Sequence, residues 1–200
     1  MPSEPLRIIL ASASPRRSDL LTELGVEFIV APTHIDESEH SGETPVAYVL
    51  RVATEKAEAA PMQPGDVVIA ADTTVDVDGQ ILAKPADEAD ARRMLRLLSG
   101  RAHRVHTGVA VRHAAAIAAD VATSMVRMLP ITDELLDWYI GTGEPMGKAG
   151  AYAIQGDAAV LVDRVQGSIT TVIGLPLGLL GELFQRLGLS LPSLIVDRDA

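Results

Sequence analysis

Hydrophobic residues recur along this chain with two different spacings, and the alternation between them predicts a succession of strands and helices. Short apolar or alternating stretches predict strands at 7–11, 28–30, 67–71, 74–77, 80–82, 103–112, 116–128 and over most of 151–165. Apolar side chains three and four positions apart predict helices at 15–24, 44–60, 87–98, 132–140 and 176–187. Hairpins and helical crossovers both occur, so the pattern predicts an α/β protein with a mixed sheet.

Cap and turn residues mark the ends of several of these elements. Ser14-Pro15 and Thr44-Pro45 each place a capping hydroxyl before a proline, which is typical of a helix N-terminus. Asp78-Gly79 between two apolar runs is a strong signal of a two-residue hairpin turn. Because no repeat or flexible linker divides the chain, we expect one domain over residues 1–200, with a loosely ordered polar tail from Ser190.

Composition narrows the classes of function. Hydrophobic residues make up 48% of the 200 residues, enough for a sizeable core, whereas aromatic residues make up only 3%. The scarcity of aromatic side chains and the net charge of −10 argue against nucleic-acid binding. The absence of cysteine excludes disulfides, thiolate metal sites and cysteine nucleophiles. With neither a signal-peptide pattern nor a membrane-spanning apolar run, we expect a cytoplasmic protein without a membrane partner.

The predicted junction between the first strand and the first helix carries groups that bind phosphate. Ser12 and Ser14 place two hydroxyls at alternate positions of an extended segment, and a helix N-terminus offers free N–H groups. Arg16 and Arg17 lie in the first helical turn, where the helix dipole disfavours a cation unless an anion is close. We interpret the segment as a phosphate cradle; the alternative is a capped helix with two solvated arginines.

Acidic residues in two loops are candidates for metal or proton chemistry. Asp36 and Glu37 lie in a polar loop after a predicted strand, where most acidic side chains are simply solvated. Asp72 directly follows the buried run 67–71, so a rigid strand would hold its carboxylate in place. The alternative role of Asp72 is to cap the turn that begins at Thr73.

Three lysines and two histidines complete the candidate set. Lys84 precedes a proline that holds it extended, Lys56 lies near the buried edge of a helix, and Lys148 lies in a glycine-flanked loop. Together they favour an anionic ligand, although a single lysine is more often a solvated surface charge. His103 and His106 lack metal-ligand partners at a recognisable spacing, and we interpret them as strand residues. The sequence contains no Walker A loop, dinucleotide fingerprint or nucleophile elbow.

Short motifs follow one another over nearly the whole chain, from Ile8 to Leu189. They are LASASPRR at 10–17, IDE at 35–37, ATEKA at 53–57, ADT at 71–73, GQILAKP at 79–85, LSG at 98–100, TG at 107–108, GEP at 143–145, KAGAY at 148–152, IQG at 154–156 and GLP at 174–176. This series closely resembles the Maf family of nucleotide pyrophosphatases, also called septum formation inhibitor proteins. The resemblance implies the fold of inosine triphosphate pyrophosphatases: an elongated mixed sheet in two lobes with flanking helices, a core of about 7–189, a cleft between the lobes and usually a homodimer.

The resemblance also implies a reaction and roles for individual residues. Nucleoside triphosphate would be hydrolysed to the monophosphate and pyrophosphate, with Asp72 as the catalytic acid or base and Glu37 as a metal ligand. The residues that would hold the triphosphate are Arg16, Arg17, Lys56 and Lys84, beside the hydroxyls of Ser12 and Ser14. A free aspartic acid side chain has a pKa of about 3.9 and is a weak base at neutral pH. We therefore expect Mg²⁺ or Mn²⁺ to assist, with Asp72 as base, metal ligand or both.

Three positions match those that select the substrate in family members of the dTTP/UTP type, namely Arg16, Thr73 and Gln155. Thr73 favours the pyrimidine type over a branch that acts on methylated GTP and carries Asp-Gln at this motif. The chain departs from common family residues at three places, namely Gly147, Ile169 and Thr171. A non-catalytic nucleotide-binding regulator of septum formation is the alternative function, and such a protein would not need Asp72.

Overall fold

The computed structural model describes residues 6–195, and its secondary structure largely follows the hydrophobic pattern. The strands are β1 (Arg7–Leu10), β2 (Phe28–Val30), β3 (Asp66–Val77), β4 (Gln80–Leu82), β5 (Ala102–His113), β6 (Ala116–Met128) and β7 (Val162–Gln166). The helices are α1 (Pro15–Leu24), α2 (Pro45–Ala59), α3 (Glu88–Leu98), α4 (Asp133–Gly141), α5 (Ile169–Ile173) and α6 (Leu177–Arg186). Across the described range, no helix combines the length and apolar character that crossing a bilayer requires.

All of these strands join one mixed sheet, as the alternation of elements predicted. Its order is β2-β1-β3-β5-β6-β7, with β4 paired to β3. β1 pairs in parallel with β2 and β3, because α1 and α2 carry the chain back to the starting side of the sheet. The pairs β3–β4, β3–β5, β5–β6 and β6–β7 are antiparallel. The expected α/β class with flanking helices is confirmed.

One edge of the central strand β3 is only partly paired. β1 pairs with residues 66–69 of β3, and β4 pairs with residues 75–77. Between them, residues 70–74 have no neighbouring strand on that edge within the described chain, although β5 pairs with the opposite edge. The gap arises because the chain leaves β1 at Ala11 and turns into α1.

Two helical layers cover the same face of β3 at opposite ends. α1 and α6 pack over Ile69, whereas α3 and α4 pack over Val75. α2 covers the other face, and it packs so closely on β5 that a Cβ atom at Gly108 would collide with the carbonyl of Val49. Thr73 lies on β3 between the two layers, so the surface opens where they separate.

Two predictions about secondary structure are wrong. Asp72 does not follow the end of a strand but lies inside β3, because its pairing with β5 continues without interruption to Asp76. The segment 151–165 is not mostly strand: it forms a turn and a 3₁₀ segment up to Leu161, and β7 begins only at Val162. The helix α5 was not predicted.

Most of the predicted helix and turn ends are confirmed. The Thr44 hydroxyl accepts a hydrogen bond from the amide of Ala47 at 3.2 Å, which confirms the predicted cap. Asp78 and Gly79 have φ values of 54° and 85°, as a tight hairpin turn requires. Ser14 occupies the N-cap position of α1, but its side chain makes no capping hydrogen bond.

The C-terminal region is more ordered than expected where the structure describes it. A 3₁₀ segment covers Leu191–Leu194, and Ile195 forms a bridge with Val26. The remainder of the predicted tail, at 196–200, lies outside the described residues.

Candidate active site

A cleft of about 590 Å³ opens along the unpaired stretch of β3. The β1–α1 junction, the loop after β2, the segment after β4 and the segment 147–155 form its walls. The residues predicted to bind phosphate, act in catalysis, bind the metal or select the substrate all line it: Ser12, Ser14, Arg16, Arg17, Glu37, Lys56, Asp72, Thr73, Lys84 and Gln155. The fold thus brings together residues from widely separated parts of the sequence.

A lysine joins the candidate catalytic carboxylate, Asp72, to the candidate metal ligand, Glu37. Lys56 Nζ lies 2.8 Å from Asp72 Oδ1 and 3.0 Å from Glu37 Oε1. Lys56 and Asp72 are both buried, whereas the Glu37 side chain is 42% exposed at the edge of the cleft. The ion pair compensates for removing both buried charges from water, and β3 and α2 fix its two members from opposite sides.

Arg17 ties the base of the cleft together. Its guanidinium donates hydrogen bonds to the Gly174 carbonyl at 2.8 Å, to Ser12 Oγ at 2.8 Å and to Thr73 Oγ1 at 3.1 Å. Burial lowers the pKa of Arg17, and the negative charge of Asp72 opposes that shift. An arginine nonetheless keeps its charge in a protein. The group therefore supplies a fixed positive charge and joins α1, β3 and the residues that precede α6.

Thr73 extends this hydrogen-bonded arrangement across the sheet. Its hydroxyl lies 3.0 Å from Thr107 Oγ1, which in turn donates to the carbonyl of Thr171 at 2.8 Å. Thr171, one of the departures from the common family residues, is buried and takes part through its main chain. The Thr73 side chain is therefore held in one orientation by groups on either side.

Other cationic and hydroxyl groups of the cleft have no protein partner. Arg16, Lys84 and the Ser14 hydroxyl make no hydrogen bond or ion pair with the residues the structure describes. Burial lowers the pKa of Arg16, and the charge of Glu144 opposes the shift. These groups are available to an anionic ligand, in contrast to Arg17 and Lys56, whose donors are already engaged.

The carboxylates of the cleft fit a hard divalent cation. Asp72 and Glu37 both lie within 3.0 Å of the Lys56 ammonium, so their oxygens converge on one positive centre. Among residues 6–195, no group of three or more acidic, histidine or cysteine side chains is arranged to hold a metal. Two carboxylates suit Mg²⁺, which keeps several waters and takes further ligands from substrate phosphates.

Sequence reasoning missed several polar residues that also line the cleft, among them Tyr48, Thr33 and Thr74. Tyr48 donates a hydrogen bond to the Glu37 carbonyl at 3.0 Å, and burial, with Asp72 and Glu37 close by, raises its pKa. The available signal was its position on α2, eight residues before Lys56 and thus on the same helical face. Thr33 and Thr74 each place a buried hydroxyl in the cleft wall that has no hydrogen-bond partner within residues 6–195, and no motif marks them.

Several other candidates lie outside the cleft. Asp36 accepts hydrogen bonds from the amide and hydroxyl of Ser38, so it does not join Glu37. Lys148 donates to the carbonyl of Glu144 at 2.6 Å. The two histidines are residues of β5, as predicted.

The two remaining departures from common family residues differ in location. Gly147 lines the cleft with a φ of 75°, a conformation that a glycine adopts without strain. Ile169 begins α5 and is 47% exposed, so its side chain contributes little to packing.

Comparison with known proteins finds similar sequences over nearly the whole chain. The family model described as Maf-like protein matches residues 7–187. A protein of Anaeromyxobacter dehalogenans named dTTP/UTP pyrophosphatase is 50% identical over 190 residues, 93% of this chain and 96% of its own. A protein of Myxococcus xanthus with the same name is 46% identical over 195 residues, 96% of this chain and 98% of its own.

The comparison with solved structures matches 63% of this chain to 76% of another chain, the nucleoside-triphosphatase / dITP/XTP pyrophosphatase of Mycobacterium abscessus. Its TM-score is 0.43 and its sequence identity is 18%. The family assignment depends instead on the sequence matches, which extend over nearly the full length of both chains. The chain belongs to the Maf-like protein family.

Proposed function

We propose that this protein hydrolyses dTTP and UTP to the nucleoside monophosphate and pyrophosphate. The observation that carries the proposal is the Asp72 carboxylate, fixed by Lys56 in the cleft that also contains the unpaired cations Arg16 and Lys84. An acid or base beside several cations is what hydrolysis of a polyanionic anhydride requires. The name shared by the full-length relatives supports the same reaction and substrates.

In this proposal, Asp72 receives the proton of the attacking water. Its Oδ1 is engaged by Lys56, which leaves Oδ2 for a water molecule. The water oxygen forms a bond to the α-phosphorus, the bond from that phosphorus to the bridging oxygen breaks, and pyrophosphate leaves. The proton of the water passes to Asp72 Oδ2. Because β3 and Lys56 hold the carboxylate rigidly, little reorganisation is needed when the reaction begins.

The cations of the cleft divide into two groups with different tasks. Arg16 and Lys84 are unpaired, so they bind the phosphates of the incoming nucleotide and the negative charge of departing pyrophosphate. Arg17 and Lys56 are already hydrogen-bonded and act as fixed charges. This division keeps the site assembled before the substrate arrives.

We also propose a divalent cofactor, Mg²⁺ or Mn²⁺, held by Asp72 and Glu37. When bound, the ion would lower the pKa of the attacking water and neutralise phosphate charge. Lys56 would then serve as the partner that keeps the two carboxylates together without the ion, at 2.8 and 3.0 Å.

Base selection falls to Arg16, Thr73 and Gln155 in this proposal. Thr73 supplies a fixed hydroxyl, while Gln155 is exposed and makes no hydrogen bond with other described residues. An amide with a free donor and a free acceptor can match the carbonyl and the N–H of a uracil or thymine edge. We further propose that the protein acts in the cytoplasm as a homodimer. Light scattering after size-exclusion chromatography tests the oligomeric state, and we expect a mass twice that of one protomer.

The decisive experiment measures both phosphate products. Purified protein is incubated with dTTP, UTP and a panel of other nucleotides, with Mg²⁺ or Mn²⁺ and with excess chelator. We expect equal amounts of monophosphate and pyrophosphate from dTTP and UTP, and no turnover in chelator. The D72N variant, prepared identically, controls for contaminating hydrolases.

Other results would contradict specific parts of the proposal. Orthophosphate as the first product would exclude cleavage between the α- and β-phosphates. Full activity in chelator would exclude the metal. Tight nucleotide binding without any product would instead support the alternative function, a non-catalytic nucleotide-binding regulator of septum formation.

A further inference from the structure

The turn that carries Gln155 has a support of its own, outside the cleft lining. Residues 153–158 contain a turn closed by a hydrogen bond from the Gly156 amide to the Ala153 carbonyl, at 3.0 Å. Gln155 lies at its exposed tip. The turn is not part of any strand, so side chains fix its position: Ile154 packs against the hydrophobic core, and polar contacts hold both of its ends.

The Glu144 carboxylate holds the far end of this turn. Its oxygens accept hydrogen bonds from the amides of Asp157 at 2.9 Å and Ala158 at 3.2 Å. A Cβ atom at Gly156 would collide with the same carboxylate, so the turn approaches Glu144 as closely as a glycine allows. Two main-chain donors directed at one carboxylate form a strong, charge-assisted anchor.

Tyr139 connects that anchor to the near end of the turn. Its hydroxyl donates to Glu144 Oε1 at 2.8 Å and accepts from the Ala153 amide at 3.3 Å. Tyr139 belongs to α4 and is fully buried, which makes it a rigid support. Burial opposes ionisation of Glu144, but the hydrogen bonds from Asp157, Tyr139 and Ala158 outweigh it and lower its pKa.

Glu144 also acts electrostatically on the opposite wall of the cleft. Burial lowers the pKa of Arg16, and the negative charge of Glu144 opposes that shift. Arg16 and Gln155 are two of the three residues proposed to select the base. The Glu144 carboxylate therefore influences the position of Gln155 and the electrostatic environment of Arg16.

From this arrangement we propose that Glu144, supported by Tyr139, is a positioning residue that sets base discrimination by fixing the Gln155 turn. The inference rests on the proposed function, because it concerns which nucleotide the same cleft prefers. Glu144 does not itself line the cleft. Its removal should therefore alter the preference for the base while leaving the reacting groups in place.

The test compares E144Q and Y139F with the wild-type enzyme, and E182Q serves as the matched control. Glu182 is an exposed carboxylate on α6, so its substitution changes the net charge equally without touching the turn. The readout is the kcat/KM ratio for UTP over CTP, which differ only at the edge of the base. Inhibition by pyrophosphate measures phosphate binding. Hydrogen exchange of the amides at 157 and 158 measures whether their hydrogen bonds to Glu144 are kept.

We expect the UTP/CTP ratio to fall by roughly 5- to 20-fold in E144Q and in Y139F, as for the loss of one or two hydrogen bonds. Pyrophosphate inhibition and kcat for UTP should stay within about threefold, whereas exchange at 157 and 158 accelerates. E182Q should match the wild type. Because Y139F keeps the carboxylate, it carries the test alone if E144Q does not fold.

Three results would overturn the inference. A wild-type UTP/CTP ratio in active variants would show that the turn does not set discrimination. A changed ratio in E144Q with an unchanged ratio in Y139F would assign the effect to charge rather than to positioning. Absence of pyrophosphate from every nucleotide in the wild type would instead refute the proposed function, and the inference with it.

Discussion

Two walls of the cleft differ in how they are built and stabilised. One wall consists of the β1–α1 junction and α2, so its functional groups lie at the ends or on the faces of regular elements. The other wall is the segment 147–155, which contains turns and no regular strand. Each is fixed by one charged side chain with several hydrogen bonds, Arg17 in the first and Glu144 in the second.

This difference separates most groups proposed for the reaction from Gln155, one of the three residues proposed to select the base. All nucleoside triphosphates carry the same phosphates and react with the same water. The groups proposed to act on them lie on the regular wall, on β3 and in the loops after β2 and β4. The base differs between nucleotides, and Gln155 meets it from the irregular wall in our proposal. An irregular segment tolerates substitution more readily than a sheet, so preference for the base can change while the reaction is kept.

Substitution of Asp72 by Asn should have the largest effect, because Asp72 is the proposed catalytic base and every bound nucleotide needs it to react. Turnover should fall by about 10²–10⁴, the usual range for loss of a general base. Nucleotide should still bind through the unpaired cations, which equilibrium binding with unhydrolysed substrate will show. The fold should lose about 1–3 kcal/mol, because Lys56 keeps only Glu37 as a partner.

Asp76 provides the matched control for that variant. It is buried on the same face of β3, but its carboxylate accepts from the Gly79 amide and lies beside His106, away from the cleft. D76N should lose stability without loss of turnover per folded molecule. Equal loss of turnover in both variants would return Asp72 to a structural role.

Neighbouring arginines sharpen the comparison within the regular wall. R17M removes three hydrogen bonds from a buried group, so we expect a loss of about 3 kcal/mol in the free energy of unfolding. R16A removes an unpaired cation, so kcat/KM should fall by roughly 10- to 150-fold with little change in stability. Denaturant unfolding and steady-state kinetics on both variants test the contrast, and identical profiles would contradict it.

The smallest expected effect concerns the acid stability of the irregular wall. His103 Nε2 lies 2.8 Å from the hydroxyl of Tyr152, a residue of that wall, and burial lowers the pKa of His103 to about 4. The unfolded value is about 6.5, so the folded state binds the proton less well. The contribution to stability is complete above pH 6.5 and is lost as the pH falls towards 4.

Between pH 7 and pH 5, protonation of His103 should cost the wild type about 2 kcal/mol in the free energy of unfolding. H103Q should not show this loss, because a glutamine does not titrate. Urea unfolding at several pH values measures this change. H40Q, at an exposed histidine, should leave the pH dependence as it is in the wild type. An unaltered slope in H103Q would show that protonation of another group causes acid unfolding.

Most of the regular wall could be predicted from the sequence. The cap and proline of α1, the arginines that follow and the apolar run of β3 are local signals, and the structure places them as expected. The extent of β3 could not be predicted, because Asp72 and Thr73 resemble a turn locally. Pairing with β5, some thirty-five residues later in the chain, overrides that preference.

The irregular wall was harder to predict for a physical reason. Glu144 and Tyr139 act on main-chain amides, and a carboxylate that accepts from a turn thirteen residues away leaves no periodic pattern. The apolar residues of 151–165 alternate as in a strand, yet hydrogen bonds from side chains stabilise turns in their place. Only the resemblance to the Maf family drew attention to Gln155.

The incomplete pairing of β3 has a consequence for aggregation through strand pairing. A free strand edge can pair with another polypeptide and begin aggregation. Here β1 and β4 close the exposed edge at both ends, so an incoming chain would have to stop within five residues, at 70–74. That span is roughly 17 Å, about the length of one short strand. The cleft walls further restrict entry, so the edge stays open to a small molecule and closed to a sheet.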